Sequence, residues 1–139
     1  MIKRIALLSA VLTAAVVSPV LAHHSAAMFD NKKEVSFTGT VVQLQWANPH
    51  VYLEVDVPKD GGGVTAWSIE FPAGPAALSR TGWRKNTVKP GDKVTLKVHP
   101  LRDGRPGGDF VSILLPDGKT LGRGATPPPA AGAAAAAAE

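Results

Sequence analysis

The sequence predicts an all-β fold, a small OB-like barrel of five to six strands with one short helix between strands three and four. Segments with apolar residues at every second position recur along the chain. Fourteen glycines and 12 prolines among 139 residues supply turns between short strands. The first segment is long and changes its inward parity, as expected of a strand that bends to pair with both halves of a barrel. A small β-sandwich, the rival architecture, does not require such a strand.

The five strands are justified by period-two patterns and by the turns between them. Strand one changes its apolar parity near Gly39, at a glycine or a bulge, where Val35, Phe37 and Val41 give way to Val42, Leu44 and Trp46. Strands two and three form a hairpin around residues 58–63, a turn with three consecutive glycines. The strands are predicted at Glu34–Trp46, His50–Val57, Val64–Phe71, Lys93–His99 and Asp109–Leu115, with a last hairpin returning to Leu121.

A short helix is predicted between strands three and four. Pro75 suits the first helical position, and Gly82 can take the left-handed conformation that ends a helix. We expect Leu78 and Trp83 to close one end of the barrel.

The beginning of the chain has the pattern of a cleaved signal peptide over residues 1–22. A basic start is followed by the apolar run Ile5–Val17 and by small residues ending at Ala22. The run is shorter than the ~20 residues of a membrane-spanning helix. We therefore predict a periplasmic protein that begins at His23 and has no membrane span after cleavage.

The end of the chain is predicted to be a disordered tail over residues 123–139. It consists mainly of proline and alanine and offers no amphipathic face to bury. The barrel domain is therefore assigned to residues 23–122.

Composition excludes several classes of function. The chain has no cysteine, which rules out a disulfide scaffold, a thiolate metal site and a cysteine nucleophile. Its net charge of +4 falls to +2 once Lys3 and Arg4 leave with the signal peptide, too little to indicate a nucleic-acid partner. No phosphate-binding loop and no ordered Ser–His–acid set occurs. We expect a binding module rather than an enzyme.

Four histidines carry the candidate chemistry: His23, His24, His50 and His99. After cleavage, His23 offers both a terminal amine and an imidazole, and His24 offers a second ring. Parity places His50 and His99 on outward faces at strand ends. The pattern predicts a metal site on the barrel rim, for Cu(II) or another divalent metal. Met28 and Asp30 are further candidate ligands.

Three alternatives accompany the metal site. The first is a metal-free domain that binds an envelope protein, with the turn at residues 48–50 and the loop at residues 102–105 purely structural. The second is a copper oxygenase with an N-terminal histidine brace, although no substrate-sized aromatic platform is evident. The third is stacking of a sugar or base on Tyr52, which lies on the outward face of strand two.

Four segments together resemble one known family: His23–Asp30, Gly39–Val55, Gly82–Gly108 and Leu115–Gly122. They contain the His-His pair, an Asn-Pro-His turn and a His-Pro-Leu-Arg-Asp-Gly loop. The chain resembles a family of small exported Gram-negative proteins that is catalogued as a domain of unknown function. The resemblance implies a single-domain periplasmic protein and assigns no activity. Ala26 and Ala27 stand where that family often has a bulky residue.

Overall fold

The computed structural model describes residues 26–123. The predicted signal peptide, His23, His24 and residues 124–139 lie outside the described residues. The elements are a 3-10 helix Ala26–Met28, β1 Val35–Gln45, β2 Tyr52–Pro58, β3 Val64–Glu70, α1 Pro75–Arg80, β4 Lys93–Pro100, β5 Gly107–Leu114 and β6 Thr120–Gly122. One predicted boundary matters for the site, because His50 precedes β2 by two residues instead of beginning it.

The strands form the predicted OB-like barrel. They follow the order β3-β2-β1-β4-β5-β6, and a parallel pairing of β3 with β5 closes five of them into a barrel. β1 pairs with β4 through residues 35–40 and with β2 through residues 40–45. One strand thus serves both halves of the sheet, the feature that separates a barrel from a sandwich. α1 lies between β3 and β4, as predicted.

The change of face in β1 occurs at a β-bulge and not at Gly39. The register with β2 shifts between Val41 and Gln43, so Val42 is the extra residue. Val41 is 2% exposed, whereas Val42, which was predicted to share the inward parity of Leu44 and Trp46, is 47% exposed. The bulge absorbs one residue, after which Leu44 and Trp46 pack against the core.

An aromatic cluster fills the barrel interior next to α1. Phe71 and Phe110 stack with ring centroids 4.3 Å apart, and Trp83 meets them edge-on at 4.8 and 5.5 Å. Trp83 is fully buried, and Leu78 of α1 is buried beside this core. Both residues, which were expected to close one end of the barrel, are therefore part of the hydrophobic core. Such large buried side chains dominate the stability of a domain of this size.

The arm before β1 lies along the β4–β5 connection. Phe29 forms a β-bridge with Leu101, the backbone N–H of Asp30 donates to Pro100 O at 2.8 Å, and the N–H of Arg102 donates to Met28 O at 3.0 Å. These contacts fix residues 28–30 against the barrel. Neither helix within residues 26–123 has the length and apolar character of a membrane span.

Candidate functional site

A row of polar side chains crosses the seam where β3 meets β5. In the strand register Tyr52 is opposite Glu70, Glu70 is opposite Asp109, and Asp109 is opposite His99. Residues paired in this way point to the same side of a sheet. The alternating neighbours of Tyr52 in β2, Leu53 and Val55, are buried in the core, so the row lies on the outer face of the barrel.

His50 and Tyr52 both contact Glu70. The Nδ1 atom of His50 contacts the Oε1 atom of Glu70. The Tyr52 hydroxyl donates a hydrogen bond to the same carboxylate. Glu70 is 8% exposed, and these contacts compensate the burial of its polar group. The pKa of Tyr52 is raised, first by burial and then by the negative charge and hydrogen bond of Glu70.

His99 has a different partner at the other end of the row. Its Nδ1 atom lies 2.9 Å from the carbonyl oxygen of Lys33, which leads from the arm into β1. A carbonyl oxygen only accepts, so Nδ1 carries the hydrogen and Nε2 carries the lone pair of the neutral ring. β5 and β3 separate His99 from Tyr52 and His50.

A cleft of about 370 Å³ opens beside Glu70, between the β3–β5 seam and the arm. Its wall combines apolar and polar groups, which are Met28, Phe29, Tyr52, Ser68, Glu70, Leu101, Arg105, Pro106, Gly107 and Gly108. Arg105 is held by Asp103, to which it donates from its backbone N–H at 3.0 Å and from Nε at 2.7 Å. These hydrogen bonds lower the pKa of Asp103. The cleft is large enough for a metal ion with its ligands or for a small molecule.

The four predicted ligands are not assembled by the described residues alone. His23 and His24 lie outside these residues, and His50 and His99 occupy opposite ends of the polar row. Within residues 26–123, no three side chains of His, Asp or Glu are arranged to hold a metal ion. Of the further candidate ligands, Met28 lines the cleft, whereas Asp30 lies 3.9 Å from the Arg102 guanidinium.

Glu70 is the site residue to which sequence analysis assigned no role. The parity pattern located it at the end of strand three but gave no partner. The hairpin register could have found it, because a turn that pairs Pro58 with Val64 also pairs Tyr52 with Glu70. The contact with His50 depends further on His50 sharing the outward parity of Tyr52.

Together, the fold and the site define an OB-like barrel domain with a histidine–carboxylate–tyrosine cluster beside a cleft. A family model for a family of unknown function (DUF6152) matches residues 10–110. The match covers most of the chain, and the chain belongs to this family. Neither the curated proteins nor the solved structures gave a match.

Proposed function

We propose that the mature chain is a periplasmic, non-enzymatic binding module that holds Cu(II) at the cleft beside Glu70. The ligands are the imidazoles of His50, His23 and His24 and the terminal amine of His23. The contact between His50 Nδ1 and Glu70 carries this proposal. Metal-binding histidines typically donate their other ring nitrogen to a carboxylate, which fixes the ring orientation and raises its basicity.

The position of the arm supports the participation of the first mature residues. Met28 and Phe29 line the cleft together with Tyr52 and Glu70. His23 precedes Ala26 by three residues, and a chain of that length spans roughly 10 Å when extended. The amine and two imidazoles are nitrogen donors of the kind that Cu(II) prefers.

His99 is left out of the proposed ligand set, although its residue type fits. Its ring is held by Lys33 O on the side of the arm that leads into β1, whereas His50 contacts Glu70, which lines the cleft. His99 therefore supplies a matched control. It is also an outward histidine with Nδ1 bound to an oxygen, and it should not contribute to the metal affinity.

The test is a calorimetric titration with Cu(II) of a chain that begins at His23. We expect a Kd below ~10 μM, an increase of about tenfold or more for His50→Ala, and a change within about twofold for His99→Ala. A chain that begins at Ser25 should also lose affinity. Binding should weaken on acidification, because the metal displaces protons from its nitrogen ligands. Absence of binding would reject the metal site and favour the metal-free interaction domain.

A further inference from the structure

Three side chains beside the cleft form a chain of contacts, Tyr52 to Glu70 to His50. Tyr52 and Glu70 are register partners on β2 and β3. His50 lies two residues before Tyr52, outside β2, and its ring contacts the same Glu70 carboxylate. One carboxylate, 8% exposed, therefore meets a hydroxyl and an imidazole at once.

We propose that Glu70 is a positioning residue that sets the tautomer of His50, and that Tyr52 holds the Glu70 carboxylate in place for this role. Glu70 thereby makes Nε2 the ligating nitrogen of His50, a consequence that rests on the proposed function. The tautomer itself does not depend on any metal.

The chemistry of the three groups leads to this assignment. An ionised carboxylate accepts hydrogen bonds and donates none, so the ring nitrogen beside it carries the hydrogen. A neutral imidazole has a single N–H group, and its lone pair therefore lies on Nε2. In the other tautomer, the lone pair of Nδ1 would face a carboxylate oxygen and repel it. Glu70 is largely buried, so little water could separate the two groups.

Tyr52 supports the arrangement through Glu70 and not by contact with a metal. Its hydroxyl binds the carboxylate from the neighbouring strand, which restricts the rotamers of Glu70. Removal of the hydroxyl leaves the negative charge beside Nδ1 in place. The effect of Tyr52→Phe should therefore have the same direction as that of Glu70→Gln and be smaller.

The decisive experiment measures the ring-nitrogen NMR chemical shifts of His50 in the metal-free mature chain, at a pH where the ring is neutral. The wild-type chain should show the Nδ1–H tautomer. Glu70→Gln should shift the population toward Nε2–H, because an amide can also donate to Nδ1. The matched control is Glu54→Gln, which changes a carboxylate of the neighbouring strand β2 that accepts from Ser68 Oγ at 2.8 Å. His50→Ala assigns the signals, and thermal unfolding verifies that each variant is folded.

A Cu(II) titration of the same variants separates this inference from the proposed function. Glu70→Gln should weaken the affinity by about 10- to 100-fold, as loss of a carboxylate partner of a ligating histidine does. Glu54→Gln should leave it unchanged. A wild-type His50 in the Nε2–H form, or a Glu70→Gln variant with an unchanged tautomer, overturns the role of Glu70. The expected tautomers in a chain that binds no Cu(II) support that role and reject the proposed function instead.

Discussion

Tyr52 reports directly on the state of the site, because it is the only tyrosine in the chain. Its side chain lies opposite Glu70 in the β2–β3 pairing. Burial, the charge of Glu70 and the hydrogen bond to Glu70 all raise its pKa. Only the last two causes depend on Glu70, so substitution can separate them from burial.

Glu70→Gln should lower the pKa of Tyr52 toward its ordinary value without fully reaching it. The substitution removes the negative charge that opposes ionisation, whereas burial remains. The measurement is a pH titration followed by the ultraviolet absorbance of tyrosinate. Because the chain has a single tyrosine, this absorbance reports the ionisation of Tyr52. Glu54→Gln is the control. Identical titration curves for wild type and Glu70→Gln would contradict the assigned cause.

The raised pKa of Tyr52 also has a consequence for stability at alkaline pH. The folded state holds the phenolic proton more tightly than the unfolded state, whose pKa is about 10. The resulting stabilisation is fully present below that value and is lost as pH rises through the folded-state pKa. Tyr52→Phe should therefore lose less stability than wild type as pH increases above about 10. Denaturant unfolding at several alkaline pH values measures this, and parallel pH profiles would be inconsistent with it.

β1 shows how far a period-two pattern determines an element. The alternation located the strand and showed that its inward face changes, but placed the change near Gly39. The structure places it at Val42, because the bulge is set by pairing with β2. Parity assigns a residue to a face, whereas the partner strand decides where an extra residue is tolerated.

The bulge predicts opposite outcomes for two adjacent valines. Val41→Ala should destabilise the protein by about 1.5–3 kcal/mol, because a nearly fully buried side chain is truncated. Val42→Ala should change stability by no more than about 0.5 kcal/mol, since nearly half of Val42 is exposed. The free energies of unfolding from urea titrations compare the two. Equal losses of unfolding free energy would indicate that Val42 is buried as well and would contradict a bulge at this position.

Closure of the whole barrel creates the cleft of the candidate site, and closure is the step that local sequence patterns describe least. Glu70 and Asp109 become neighbours only through the parallel β3–β5 pairing, across almost 40 positions of sequence. Gly107 favours it, because a Cβ atom there would lie only 3.2 Å from Ser68 O of β3. The four histidines could be selected by their chemistry alone. The separation of His50 from His99 follows from this long-range pairing. The alternation of apolar and polar residues assigned each histidine to a face but did not predict this separation.

The arm connects the proposed metal ligands to the barrel, and Phe29 is its main apolar anchor. Phe29 is 7% exposed and bridges to Leu101, so its truncation should cost about 3 kcal/mol. Met28, the adjacent residue at 38% exposure, provides the control, and Met28→Ala should cost about 0.5 kcal/mol or less.

Amide exchange in Phe29→Ala should show whether the arm unfolds together with the barrel or before it. If the arm detaches alone, amide exchange should accelerate at Asp30, whose N–H binds Pro100 O, while the buried strand residue Leu96 stays protected. We expect this local opening, because the arm is held by one bridge and a few hydrogen bonds, whereas β4 is paired on both sides. Equal acceleration at Asp30 and Leu96 would show that the arm is part of the cooperative barrel. The local opening would in turn move Met28 away from the cleft, so Phe29→Ala should weaken Cu(II) binding even though Phe29 supplies no ligand atom.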